Sequence, residues 1–533
     1  MSALFARRTS LLGLATLLAS GCPARPDLWS TDLKVDGPYK LKERVVWVDS
    51  TRGLAFGLDP TAAPPTVGSV PIGRNATFVT PTADRQRLLV LTAGKEALKK
   101  EQLTEEPALF VLRAAPGGLE VVRRYALPAP FDRIAVSADG ALALAHFSED
   151  ASGKNTSESF LRNPNQVALL RLDQDAGPTN PAPRTVRSFG SSPIGVVFSQ
   201  PLAIPAKSGP KRTLAVLLSR GYLTLLDATN PGRREITVPL SGAGQPSSVT
   251  PRQVLFVDEP PTIFVRADGA ADVFALTLEP KAAAGAGDND FVPRINQPST
   301  GRAILDMQLY QEEGKTFLLA ATGSQEAAVI DPSTSQYGIV PLGASVDTVV
   351  GIPQAKPTTA LLYSRTLPQG RVHFLKLERL SQLLGQNHSQ VVLEQPVREL
   401  LVAPGDRKAL VVHNSSRTVI SVLDLVGKYR TETPIHGQVG LTSYDFVGET
   451  HLVGVAPGVD RLGILDLETL SPVALRLDFA PRQVMTVGER VIVDHGQQHG
   501  LVTVLPKALA RRDEALLLWG FLLRDLLDTE MRD

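Results

Sequence analysis

The sequence predicts an all-β chain built as an array of short antiparallel units, and three observations carry that prediction. The first is a returning phrase from Glu43 onward, an apolar strand that closes on an acid and runs into turn residues. It reads LAFGLDPT with Asp59, VALLRLDQD with Asp173, YLTLLDATNP with Asp227 and FALTLEP with Glu279. It continues as AAVIDPSTS with Asp331, VHFLKLERL with Glu378, VISVLDLVG with Asp424 and LGILDLETL with Asp466. Two weaker copies lack the acid, ALFVLRAAPGG at Arg113 and LVTVLP at Leu505. Copies fall about 40 to 60 residues apart, the period of solenoids, propellers and arrays. The second observation is the pair of short apolar segments before most copies, such as DRIAVSADG then ALALAHF, or RELLVAPGD then KALVVHN. Asp-Gly or Gly-Asp between them marks a tight antiparallel turn, because those residues tolerate positive φ. The third is the spread of 43 Gly and 41 Pro along the chain rather than in one tract, as many short strands require.

Each unit therefore holds about four strands, a to d. Strands a and b flank the SADG-type turn, c ends on the acid, and d is the following segment, such as REITVPL. The acid after strand c is expected to accept backbone N–H groups two residues on and so to stabilise the turn. Four-stranded units at this period resemble the blades of β-propellers, in particular the YVTN-type and WD-repeat families. The resemblance implies a single large β-propeller over residues 43–507, with eight blades expected and seven to ten allowed. The first and last copies are read as partial blades that complete one another where the ring closes.

The N-terminus carries a different signal. Arg7 and Arg8 precede an apolar run from Leu11 to Leu18, and Leu18-Ala19-Ser20-Gly21 leads directly to Cys22, the one cysteine of 533 residues. A cationic start, an apolar centre and small residues before a cut are the three parts of a secretory signal. The apolar run is shorter than a bilayer span. Bacterial lipoprotein signal peptides resemble this segment. The resemblance implies cleavage between Gly21 and Cys22, removal of residues 1–21, and a covalent lipid on Cys22 in the cell envelope. Pro23 stands where an inner-membrane retention signal has aspartate, which points to the outer membrane. A plain secretory cut and an uncleaved anchor are the alternatives. Residues 22–42, polar and proline-bearing, read as a tether.

Composition excludes some partners. With 55 basic and 54 acidic residues the formal charge is +1, which gives no footprint for nucleic acid. No second cysteine is present to form a disulfide within the chain, so stability rests on packing. The glycine-x-serine-x-glycine elbow and the glycine-rich phosphate loop are missing, and no cofactor is expected.

The ends of the b strands supply the candidate binding residues, because every blade passes its chain to the same face there. In order they are Thr92, His146, Arg220, Arg266, Thr322, Arg365, His413 and His495. His146, Arg220, Arg266, Arg365 and His413 are read as a partner-binding rim. Two long insertions, Gly94–Glu106 and Ser148–Gln166, leave the same face in neighbouring units. Long loops on a rigid scaffold are where binding concentrates. His495 and His499, beside Asp494, are the nearest approach to a metal pair, though glycines around them read as a turn. Asp288-Asn289-Asp290 lacks the glutamate of a calcium loop and reads as an acidic turn.

Residues 508–533 change pattern. DEALLLWGFLLRDLLD from Asp513 to Asp528 places leucines and Trp519 over about half a helical circumference, so an amphipathic C-terminal helix is expected. The functional expectation is a membrane-anchored, non-enzymatic propeller scaffold for a protein partner. Its rivals are a propeller enzyme, either a lactonase or a metal-dependent hydrolase, and a ligand or glycan sensor. The a strands RIAVS, GVVFS, QVLFV and ELLVA are mostly apolar, which disfavours an enzyme, and aromatics at 5% of the chain disfavour a glycan sensor.

Overall fold

The computed structural model describes residues 33–523, excepting 95–104, 150–162, 187–192, 205–208, 241–248, 283–284, 286, 299, 335, 353–358, 383, 385, 416–417, 427–431, 437–440, 457 and 508–513. Ten four-stranded antiparallel sheets follow one another along the chain. In each, the strands lie in sequence order, as in blade 1 (Val35–Leu41, Arg44–Asp49, Leu54–Asp59, Thr66–Pro71) and blade 10 (Gln483–Val487, Arg490–Asp494, Leu501–Pro506, Leu516–Trp519). The a strands of most neighbouring blades touch, and the a strand of blade 10 returns to that of blade 1. The result is a ten-bladed β-propeller. A two-stranded ribbon, Leu202–Ala203 with Lys211–Arg212, is added between strands a and b of blade 4.

The blade count corrects the expectation of eight. All ten copies of the repeated phrase, the two acid-less ones included, are c strands of complete blades. The terminal copies do not share a blade either. Blade 1 starts with strand a at Val35, so residues 35–41, read as tether, are the innermost strand of a sheet.

Ten apolar clusters hold the ring, one between each pair of consecutive blades. Strand c of blade 3 shows why these strands read as unbroken apolar runs. Val167 and Leu169 pack toward blade 4, whereas Ala168 and Leu170 pack toward blade 2. A strand buried on both faces has no polar side to alternate with.

The turns bear out the reading of the repeat acids at Asp59, Asp331, Asp424 and Asp466. Asp59 Oδ1 accepts Thr61 N at 3.0 Å and Asp331 Oδ1 accepts Ser333 N at 2.8 Å. Asp466 Oδ1 accepts both Glu468 N and Thr469 N at 2.8 Å. The SADG turn is closed by Asp139, whose Oδ1 accepts Ser137 Oγ at 2.5 Å and Ala141 N at 2.9 Å, with Gly140 at φ +68°.

The expected C-terminal helix is replaced by a strand over the described part. Leu516–Trp519 pairs with strand c of blade 10, Leu501 opposite Trp519 and Val504 opposite Leu516. Gly520 then turns at φ +74°, and Phe521–Leu523 make a single 3-10 turn. The leucine spacing suits a helix, but blade 10 lacks a fourth strand without this segment, and pairing plus burial of Phe521 and Leu522 outweigh local propensity. Residues 513 and 524–528 of the expected helix lie outside the described residues. Among the described residues no helix is long and apolar enough to cross a membrane.

Candidate functional site

The meander topology sends every b–c turn and every d–a linker to one face of the ring, and every a–b and c–d turn to the other. The first face carries all the sequence-predicted rim residues. Two of its b–c connections are long and adjacent: Thr92 to Ala108 in blade 2 and His146 to Gln166 in blade 3. None of the other eight exceeds the seven residues from Ser364 to Gly370.

Most of both long loops lies outside the described residues, but their roots are defined. Gly94, at φ +72°, approaches so closely that an added Cβ would stand 1.9 Å from Glu105 O. Asn75 Nδ2 donates to Gly94 O at 2.8 Å, and Arg74 N donates to Glu105 Oε1 at 3.2 Å. In blade 3, Ser148 donates from N and Oγ to the two oxygens of Asp132 at 2.6 and 2.5 Å. Glu149 then pairs with Arg220 of blade 4 at 2.5 Å. The loops thus rise from fixed stems.

The rim residues divide by burial. His146, His413 and His495 are buried, at 3%, 0% and 5% exposure. They brace the blades instead of facing a partner. His146 Nδ1 meets Phe147 O at 2.9 Å. His413 Nδ1 meets Pro396 O at 2.9 Å, and its Nε2 meets Ser421 Oγ at 2.7 Å. His495 Nδ1 meets Ala480 O at 3.2 Å, and its Nε2 meets Thr503 Oγ1 at 2.9 Å. Burial pushes all three imidazoles below their usual pKa. Thr92 and Thr322 close their own b–c connections by donating to Ala108 O and Glu326 O. The arginines face outward to different degrees. Arg220 pairs with Glu149 as above, Arg266 pairs with Asp268 at 3.2 Å, and the backbone N of Arg365 donates to Asp347 Oδ2 at 2.9 Å.

The metal reading of His495 and His499 does not fit this geometry. A carbonyl only accepts, so His495 Nδ1 carries the proton and donates to Ala480 O. Its remaining lone pair on Nε2 is then taken by the Thr503 hydroxyl. His499 packs edge-on against Trp519, ring centroids 5.6 Å apart. Among the described residues no three His, Cys, Asp or Glu side chains are grouped to hold an ion. Asp288-Asn289-Asp290, on the opposite face, is an ionic clasp. Asp290 takes a two-pronged contact from Arg212 at 2.5 and 2.6 Å and another from Arg233 at 2.8 Å. The Arg212 hydrogen bonds hold its carboxyl down at about 2.

The inner strands carry a polar belt that the apolar reading of strands a missed. Each a strand is an edge strand, so its inward N–H and C=O groups need partners other than a sister strand. Between blades 5 and 6, 6 and 7, and 9 and 10, side chains of the preceding blade supply them. Gln253 of blade 5 donates to Asp306 Oδ1 and Met307 O at 2.9 Å and accepts Met307 N at 3.1 Å. Asp306 Oδ2 accepts Val349 N at 2.8 Å and Gln308 Oε1 accepts Gly351 N at 2.7 Å. Ser443 and Asp445 of blade 9 accept Val484 N and Thr486 N of blade 10 at 3.1 and 2.7 Å. The signal was present as an acid, amide or hydroxyl at alternate positions of QVLFV, DMQLY and SYDF.

Cys22 and Gly21 lie outside the described residues. No protein-family model and no curated protein matches the chain. Among solved structures it is similar to one described as dihydro-heme d1 dehydrogenase NirN in complex with DHE. That match has 12% identity and a TM-score of 0.38, and covers 94% of this chain and 76% of that one. It is also similar to one described as the eukaryotic initiation factor, at 11% identity and a TM-score of 0.43, covering 79% of this chain and 93% of that one. Likenesses this distant say nothing of activity.

Proposed function

We propose that the chain is a lipid-anchored envelope protein whose propeller is a non-enzymatic scaffold, presenting the b–c face of blades 2 and 3 to a protein partner. The carrying observation is the asymmetry of that face, two long connections side by side on fixed stems where eight blades turn tightly. A rigid ring with one elaborated sector is suited to directional binding. Several polar groups that an enzyme could recruit are already engaged within the fold. Asp306 and Asp445 each satisfy main-chain N–H groups, and His413 and His495 use both ring nitrogens. Lipid attachment at Cys22 rests on the signal-like segment before it.

The test is a pair of deletions, 95–104 and 150–162, in the native envelope with cross-linking and mass spectrometry. The expected result is that both deletions fold, melt as the parent does and lose the same cross-linked protein. An unchanged set of cross-links in both would overturn the scaffold reading. Release of a Cys22→Ser chain into the soluble fraction is expected for the anchor, and unchanged membrane retention overturns it.

A further inference from the structure

The outer strand of blade 10 is unlike its counterparts. Leu516, Leu517 and Trp519 stand 42%, 45% and 73% exposed, and Phe479, in the linker before the same blade, 43%. No other outer strand among the described residues exposes more than two large apolar side chains, the pairs being Val121 and Val122 in blade 2 and Val292 and Ile295 in blade 5. Among the described residues, strand Leu516–Trp519 is paired on one side only, by strand Leu501–Pro506. An edge that is both unpaired and apolar invites association unless something covers it.

The position of this edge names the cover. Val35, where the chain enters blade 1, packs into the same cluster as Leu518, Phe521 and Leu522. The chain therefore joins the ring beside the strand that carries these exposed side chains. Twelve residues lie between Cys22 and Val35, a reach of at most about 45 Å when extended. Trp519 and Phe479 lie at the b–c face end of the blade, each edge-on to a histidine, His499 at 5.6 Å and His495 at 5.8 Å. Aromatic rings at the margin of an aliphatic patch suit the boundary between headgroups and acyl chains.

We propose that this edge of blade 10 rests on the surface of the bilayer that holds the Cys22 lipid, so that the ring is fixed at two points instead of swinging on its tether. The proposal rests on the lipid anchoring above. A weak contact suffices, because the tether keeps the edge at high effective concentration near the membrane. Two-point attachment sets the ring's orientation and leaves the blade 2 and 3 loops, farther round the ring, free for a protein.

The test uses the lipidated full-length chain in vesicles of phosphatidylethanolamine and phosphatidylglycerol, with part of the lipid brominated on its acyl chains. Trp29 is replaced by Phe to silence the tether, and Trp47 is buried and so shielded. Bromolipid is expected to quench the Trp29→Phe chain and to leave the Trp29→Phe/Trp519→Phe chain at its lipid-free intensity. Equal quenching in both chains, in vesicles to which the anchored protein has floated, overturns the docking while leaving the anchor intact. Shielding of Trp519 from aqueous iodide without bromolipid quenching also overturns it, since a protein then covers the edge. Membrane retention of the Cys22→Ser chain overturns the anchor by itself.

Discussion

His413 and His495 occupy the same place in blades 8 and 10 and make the same two bonds. Each stands at the end of a b strand, gives Nδ1 to a carbonyl in the linker before strand a, and meets with Nε2 a hydroxyl eight residues on in strand c. One imidazole thus ties three consecutive strands where they reach the b–c face. The blades differ in what lies beyond. Thr503 has its proton free for His495, but Ser421 Oγ also bonds Glu432 Oε1. A hydroxyl has one proton, so Ser421 donates to His413 or to Glu432 but not to both at once.

The two hydroxyls are therefore unequal. Thr503→Val removes a neutral bond and is expected to cost about 1 kcal/mol, whereas Ser421→Ala cuts a bond line that ends on a carboxylate and is expected to cost about 2 kcal/mol. Thermal unfolding of the two variants beside the parent decides it. Equal losses would show that the contact between Ser421 and Glu432 has no energetic consequence.

Acid should weaken the ring before its carboxylates titrate. Burial, and then the neighbouring His388, hold His373 at about 4, against about 6.5 in an unfolded chain. His373 Nδ1 contacts His388 Nε2 at 2.9 Å, and its Nε2 has no hydrogen-bond partner among the described residues. His146, His413 and His495 are lowered by burial in the same direction. A depressed histidine keeps its stability contribution above the unfolded pKa, because neither state then binds the proton. As pH falls below 6.5 the unfolded state gains protons first, so stability declines until the folded pKa is reached. At pH 5 the loss from His373 alone is about 2 kcal/mol. The urea midpoint is expected to fall from about pH 7 to about pH 5, and His373→Gln to flatten that slope. An identical slope would exclude His373 as its source.

Strand identity was written in the sequence because the ring buries both faces of its c strands, leaving runs such as VALLRL that no surface strand needs. Ring size was harder to read. ALFVLRAA and LVTVLP carry no terminal acid, so they read as weaker copies, although each is the c strand of a complete blade. In the C-terminal segment, Leu516, Leu518, Trp519 and Leu522 satisfy helical spacing, and the vacancy beside Leu501–Pro506 makes Leu516–Trp519 a strand. The b-strand ends were found correctly, but position along a strand does not tell rim from interior. His413 and Arg220 occupy equivalent ends, and one is sealed while the other is in water.

Among the described residues no strand is exchanged between the first and last blades, so ring closure depends on one interface. Trp47 of blade 1 meets Phe521 edge-on at 5.0 Å, and Arg52 reaches Leu522 O at 2.6 Å while pairing with the buried Asp49 at 2.5 Å. Trp47→Ala is expected to cost about 3–5 kcal/mol through the cavity it leaves. Arg52→Ala costs a similar amount, because Asp49 loses its cation in a site without water access. Both should open blades 1 and 10 first, seen as faster amide exchange in Val45–Asp49 and Leu501–Pro506. Uniform loosening of all ten blades would show that closure is no weaker than any other interface.

The stem of the blade 2 loop offers a way to disturb binding without disturbing the ring. Gly94 is at φ +72°, and a Cβ there would stand 1.9 Å from Glu105 O, so Gly94→Ala must push the two stem strands apart. The strain falls on the hydrogen bonds of Asn75 to Gly94 and of Arg74 to Glu105, outside the apolar cluster between blades 1 and 2. A cost of about 1–2 kcal/mol, confined to the stem, is expected for a non-glycine residue forced into this conformation. Capture of the partner should fall at least as far as in the 95–104 deletion if stem geometry sets the loop's approach. Thermal unfolding should move by only a few degrees. Normal capture by Gly94→Ala together with loss in the deletion would place recognition in the loop's own residues and remove the stem from the argument.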